Sequence, residues 1–270
     1  MTELNPYEPP KSQIALSEQV PLSGELTEPQ RVSAGRGWGW IADGFALFKR
    51  DPWIWIVNMI ILIVITSLLS LVPVGGIAAQ ILYPLFQGGL MLGCYAQDNG
   101  NPLKVEHLFA GFRTNTGSLA AVGGLYLLGV VGVGIVTLAL VFLLGGSNLL
   151  ELFKAIAAGV EQPNPEMVRQ GVLLALLAGL IGLALIIPLL MATWFAPALV
   201  VFHSLGAVAA MQWSFRGCLR NILPFLVYGL AALVLLVVAL IPLGLGLLVL
   251  IPILTASVYI AYKDIFLKNT

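Results

Sequence analysis

The chain has 270 residues, 59% of them hydrophobic and only 10% charged, with a mean hydropathy of +0.97. Soluble domains carry about 25% charged residues, so a water-soluble globular class is excluded. The 13 basic residues balance the 13 acidic ones, so net charge points to no nucleic-acid partner, and the placement of charge carries the information instead.

Residues 1–34 hold Glu3, Glu8, Glu18, Glu25 and Glu28 among scattered prolines without helical period. That pattern predicts a disordered acidic tail, and its polar start gives no cleavable signal peptide. Within it, Asn5-Pro6-Tyr7-Glu8-Pro9-Pro10 favours polyproline II, a form that aromatic grooves bind with little loss of entropy. A cytoplasmic partner docking on Asn5–Pro10 and a plain solubilising tail both fit this string.

Residues 36–50 change character. Trp38, Ile41, Phe45 and Phe48 recur at helical spacing and Lys49 and Arg50 close the segment, which predicts an interfacial amphipathic helix with its aromatics at headgroup level. Six apolar stretches follow, at 53–72, 76–97, 117–146, 171–201, 223–241 and 244–266, none with a charged residue in its interior. About 20 apolar residues cross roughly 30 Å of hydrocarbon, so each is a predicted span, and the first is expected to act as an uncleaved signal anchor. The predicted fold is all-α, with six transmembrane helices in a membrane domain covering residues 35–270.

Orientation follows from the short flanking segments. One side carries Arg36, Lys49, Arg50, Lys104, Arg113, Arg216, Arg220, Lys263 and Lys268; the other carries Lys154 and Arg169 beside Glu151, Glu161 and Glu166. Both termini are therefore expected in the cytoplasm. Cys94 and Cys218 fall near that side, where thiols stay reduced, and two cysteines without a His or Cys cluster make no metal motif.

The second helix of each predicted hairpin carries a related string: Leu82-Tyr83-Pro84-Leu85-Phe86-Gln87-Gly88-Gly89, Ile186-Ile187-Pro188-Leu189-Leu190-Met191-Ala192-Thr193 and Leu250-Ile251-Pro252-Ile253-Leu254-Thr255-Ala256-Ser257. Ahead of each hairpin lies an amphipathic segment ending at Lys49, Arg113 or Arg220. This predicts an interfacial helix plus hairpin, repeated three times. From Lys49 to Pro84 is 35 residues and from Arg220 to Pro252 is 32, but from Arg113 to Pro188 is 75. The middle unit thus has longer spans and an outer loop at 147–170, in which Leu149, Leu150, Phe153, Ile156 and Val160 at helical spacing could cover the protruding ends.

Pro84, Pro188 and Pro252 each remove a backbone hydrogen bond, serving either as hinges around a central site or as kinks that set helix packing. Lys49, Arg113 and Arg220 occupy equivalent interfacial points, fit to hold anionic lipid headgroups or to snorkel as topology anchors. His107 and His203 are single, without partners at ligand spacing. Asn58, Gln80, Gln87, Thr137 and Thr255 are the polar groups at membrane depth, usually satisfied between helices. No span offers an acid, base or metal-ligand set, so no catalytic residue, cofactor or metal is expected.

The strings Gly37-Trp38-Gly39-Trp40-Ile41 through Phe48-Lys49, and Leu108-Phe109-Ala110-Gly111-Phe112-Arg113 before the third span, resemble a group of proteobacterial integral membrane proteins known only as a domain of unknown function. The resemblance covers about residues 36 to 266. The layout is similar, more distantly, to the membrane domain attached to some glycerophosphodiester phosphodiesterases, but no catalytic domain of that kind is present. The resemblance implies a bacterial inner-membrane location and no established activity. The expected function is a non-enzymatic membrane protein that binds lipid or organises other membrane proteins, or alternatively a transporter or channel for a weakly polar or amphipathic solute.

Overall fold

The computed structural model describes residues 25–158 and 164–268, with backbone alone at 146–149, 152, 153, 155 and 156. The described residues are helical throughout their length apart from short connections and one antiparallel bridge, Leu26 to Leu267. In order they form α1 (Arg36–Phe48), α2 (Pro52–Ser70), α3 (Gly75–Asp98), a 3-10 segment (Val105–Phe112), α4 (Thr116–Ala157), α5 (Pro165–Trp194), α6 (Ala196–His203), α7 (Ala207–Arg220), α8 (Ile222–Leu240) and α9 (Leu247–Phe266). Among the described residues six stretches are long and apolar enough to span a membrane: Pro52–Ser70, Gly75–Asp98, Thr116–Gly145, Pro165–His203, Ile222–Leu240 and Leu247–Phe266.

Local chemistry sets these boundaries. Pro52 opens α2 and Pro165 opens α5 at the first helical turn, where the missing N–H costs nothing. The Asn164 side chain accepts from the Glu166 N–H at 2.9 Å, so the fourth span starts earlier than residue 171. It also bends at Phe195 before α6, because Pro197 has no N–H to continue the ladder. At the bend Ser214 Oγ accepts from the Phe195 N–H at 2.9 Å and donates to the Met191 carbonyl at 2.7 Å. Gly145 breaks α4 at φ 144°, a conformation open to glycine and strained for any other residue.

Burial is concentrated at one end of the bundle. α2 buries Trp55, Asn58 and Met59 in its first half, while α3 buries most residues from Pro84 to Gly93 and α9 most residues from Pro252 through Phe266. The opposite ends expose apolar side chains such as Leu71 (80%) and Leu143 (79%). The membrane-spanning parts of α4 and α5 are the longest, 30 residues each by Thr116–Gly145 and Pro165–Trp194, or about 45 Å at 1.5 Å per residue. Both exceed α2 and α8, at 19 residues each. Val160 and the side chains of Leu149, Phe153 and Ile156, expected to cover this excess, lie outside the described residues; Leu150 is exposed.

The buried end is closed by α1, the 3-10 segment and α7. α1 packs on α9 and α8, the 3-10 segment on α3, and α7 on α5 and α6. Glycines allow the approach: a Cβ on Gly44 would stand 2.7 Å from the Ile253 oxygen, and one on Gly111 would stand 2.0 Å from the Leu85 oxygen. Arg36 pairs with Asp264 at 2.6 Å and the Trp40 indole donates to the same carboxylate at 2.8 Å. Gln97 joins three elements, donating to Asp51 at 2.8 Å and accepting from the Trp55 indole at 3.0 Å.

The N-terminal segment departs from its expected disorder in part. Residues 1–24, including the Asn5–Pro10 string, lie outside the described residues, but 25–34, read as the end of a disordered tail, are docked. The Thr27 N–H donates to the Phe266 carbonyl at 2.9 Å and the Gln30 N–H to Ile265 at 2.7 Å. Asn221, at the junction of α7 and α8, clasps the segment, accepting from the Val32 N–H at 2.9 Å and donating to the Gln30 carbonyl at 2.8 Å. Backbone bonding to a helix end needs no hydrophobic period, which is why the composition of this stretch hid it.

Candidate functional site

A cavity of about 610 Å³ lies between α3, α4, the α5–α6 bend, α8 and α9. Its walls are mostly apolar and aromatic, with Trp194, Phe225, Tyr228, Tyr83 and Tyr126 contributing rings and Gln80, Gln87, Thr193 and Thr255 contributing polar groups. No lining residue is charged. The cavity is accessible from outside: Tyr83 is 47% exposed, Ile251 40% and Leu190 39%.

Each wall follows from local sequence. Pro84 lacks the N–H that would bond the Gln80 carbonyl, and Gly123 of α4 packs there, where a Cβ would lie 2.9 Å from that oxygen and 2.6 Å from that of Ile81. Small residues on α8, Gly229 and Ala232, leave the space open. Trp194, at the end of α5, meets Phe225 edge-on with centroids 5.8 Å apart and Tyr228 at 6.2 Å. One turn beyond Met91, Ala198 and Val258 of the lining, an aromatic cluster fills the buried end. Phe202 stacks on Tyr262 at 5.3 Å and meets Tyr95 at 5.8 Å and Tyr259 at 6.1 Å. Beyond it Lys263 pairs with Asp98, which also accepts from the Tyr259 hydroxyl at 3.0 Å.

The residues singled out from sequence fall in different places. Pro84 lines the cavity and is buried; Pro252 is buried in α9 beside it; Pro188 lies inside α5 but is exposed and does not line the cavity. Lys49 caps α1 and lies 4.9 Å over the Phe45 ring. Arg113 caps the 3-10 segment and is exposed. Arg220, the last residue of α7, is already engaged with the Pro29 carbonyl at 2.7 Å.

His107 accepts the Lys104 N–H at 3.0 Å, and half-burial, then the Lys104 charge, hold it below the ordinary histidine value. His203 shares a 2.5 Å hydrogen bond with the Tyr262 hydroxyl. Both cysteines are buried and free, and burial pushes the Cys218 thiol up to about 12, against a smaller opposing effect of Ser214. Among the described residues no group of three or more His, Cys, Asp and Glu could hold a metal ion. Asn58 and Thr137 are buried without a hydrogen-bond partner, contrary to the expectation that interhelical bonds satisfy them. The cavity itself was not legible in the sequence; Gln80, Pro84 and Gln87 of α3 and Thr255 of α9, which line it, stood out there singly.

No protein-family model and no solved structure matches the chain. A probable inner membrane protein of Burkholderia thailandensis is 34% identical over 208 residues, covering 74% of this chain and 73% of that protein. With identity at that level across most of both chains, this protein belongs to the family of that probable inner membrane protein.

Proposed function

We propose that the protein is a non-enzymatic inner-membrane protein that binds membrane lipid in the cavity between α3, α4, α5, α8 and α9. The cavity is the observation that carries this reading: its walls are mostly apolar and uncharged, it is bounded by membrane-length helices, and its lining is exposed at Tyr83, Leu190 and Ile251. In a bilayer those openings meet hydrocarbon, the phase in which a lipid is dissolved.

Three further parts belong to the same proposal. Both termini lie in the cytoplasm, so the end bearing α1, the 3-10 segment and α7 faces inward, supported by the Lys/Arg asymmetry. The interfacial-helix-plus-hairpin unit is repeated three times; Gly44 seats on Ile253 and Gly111 on Leu85, each one residue beyond a helix-interior proline. Lys49, Arg113 and Arg220 contribute anionic-headgroup contacts, favoured by their placement at the ends of the three interfacial elements.

The alternative, transport of a weakly polar or amphipathic solute, draws on the cavity reaching the middle of α3. The aromatic cluster and the Asp98–Lys263 pair at its buried end speak against an open pathway. Purification in native lipid, followed by mass spectrometry, tests the proposal. Ala232→Trp, which fills the cavity from α8, is expected to remove a lipid that the unaltered protein retains. Replacing Lys49, Arg113 and Arg220 with Gln should lower anionic lipid alone. Identical lipid content in all three proteins would contradict the reading.

A further inference from the structure

The hydrogen-bond inventory of the cavity is lopsided. Gln87 Nε2 donates to the Tyr83 hydroxyl at 2.6 Å, so that oxygen is an acceptor and its own proton remains for another partner. Tyr126 and Gln80 have no side-chain hydrogen bond among the described residues, and both line the cavity. The other hydroxyls are spent. Thr255 donates to Ile251 at 2.9 Å and Thr193 to Leu190 at 3.1 Å. Ser257 donates to Leu254 at 2.6 Å, which leaves it as the acceptor for Tyr228 at 2.9 Å. What remains facing the space is two phenolic O–H groups, the indole N–H of Trp194, which has no hydrogen bond among the described residues, and the amides of Gln80 and Gln87, with aromatic rings around them.

A polar group kept from water without a partner is costly, so these donors suit a ligand that brings acceptors. A charged headgroup is a poor match, because no lining residue carries a compensating charge and burial of an unpaired ion is more costly still. The volume, about 610 Å³, falls within the range of about 300–1,000 Å³ typical of small-molecule sites. It accommodates a headgroup whose tail leaves past Leu190 and Ile251.

Resting on the lipid-binding reading above, we infer that the cavity selects an uncharged, acceptor-rich lipid whose carbonyl oxygens are held by Tyr83, Tyr126 and Gln80. Two sources share that chemistry, a quinone ring and the ester carbonyls of a glyceride. Anionic phospholipid is left to the basic end of the bundle.

The test uses the full chain in nanodiscs and measures retention of three probes by native mass spectrometry: decyl-benzoquinone, dioctanoylglycerol and dioctanoyl-phosphatidylglycerol. One or both neutral probes should be retained at least tenfold better than the anionic one, and the better of the two identifies the source. Tyr83→Phe with Tyr126→Phe keeps both rings, and should cut retention of the neutral probe at least tenfold while the unfolding temperature in empty nanodiscs stays unchanged. Equal retention of the anionic probe, or retention unaffected by the two substitutions yet abolished by Ala232→Trp, overturns the donor-based selection and leaves lipid binding standing. Failure of the unaltered protein to retain any probe better than Ala232→Trp overturns both.

Discussion

Gly111 lies against the backbone carbonyl of Leu85, the residue after Pro84, so closely that an added Cβ would stand 2.0 Å from the oxygen. This contact seats the 3-10 segment on α3 and fixes the wall of the cavity from behind. Gly111→Ala should therefore destabilise the protein by about 1–3 kcal/mol, the usual cost of overpacking. Gly124→Ala, where a Cβ meets open space, should be neutral or gain up to about 1 kcal/mol from helix propensity. Thermal unfolding in detergent separates the two; equal melting temperatures would show that the seat is loose.

Gln97 ties α2, α3 and the turn at Asp51 together through one buried amide. Gln97→Leu fits the space but strands the Trp55 indole N–H and removes one donor from Asp51. A loss of about 1–3 kcal/mol is expected from the unsatisfied groups, readable as a lower unfolding midpoint. Trp55→Phe in the Gln97→Leu background should then cost less than it does alone, since its indole has no partner left to lose.

His107 is held below its ordinary value, chiefly by burial. Just below pH 6.5 the unfolded chain therefore binds protons that the folded chain refuses, so this contribution to stability is full above pH 6.5 and declines as pH falls through the window beneath it. Protonation also removes the acceptor for the Lys104 N–H. His107→Asn offers an acceptor that does not titrate, and should shrink the drop in melting temperature between pH 7.5 and 5.5. An unchanged drop would place the pH dependence elsewhere.

Much of the fold was legible because the bilayer imposes it. Apolar runs of membrane length gave α2, α3, α8 and α9 to within a few residues, and Trp38 through Lys49 gave α1. The misses share a cause: they depend on backbone N–H groups finding acceptors outside their own helix. The docking of Thr27 and Gln30 on the end of α9, and the bend at Phe195 completed by Ser214 Oγ, leave no periodic trace in the chain. The candidate site was legible only in fragments. Pro84 and Gln87 stood out, but Tyr126, Trp194 and Tyr228 become one wall only when five helices converge.

Topology is tested by reporter fusions after Gln97, at Glu161 and at Thr270, expected to read inside, outside and inside. An outside signal at Thr270 would contradict the six-span arrangement with cytoplasmic termini.

The central claim is that lipid occupies the cavity. Leu254 lines it from α9, and a photo-reactive benzophenone side chain at that position can be activated in native membranes before any detergent is added. The account predicts a lipid adduct at residue 254, identified by mass spectrometry and lost when Ala232→Trp fills the space. A probe that is recovered without any lipid adduct, or that gives only a crosslink to another polypeptide, would contradict it.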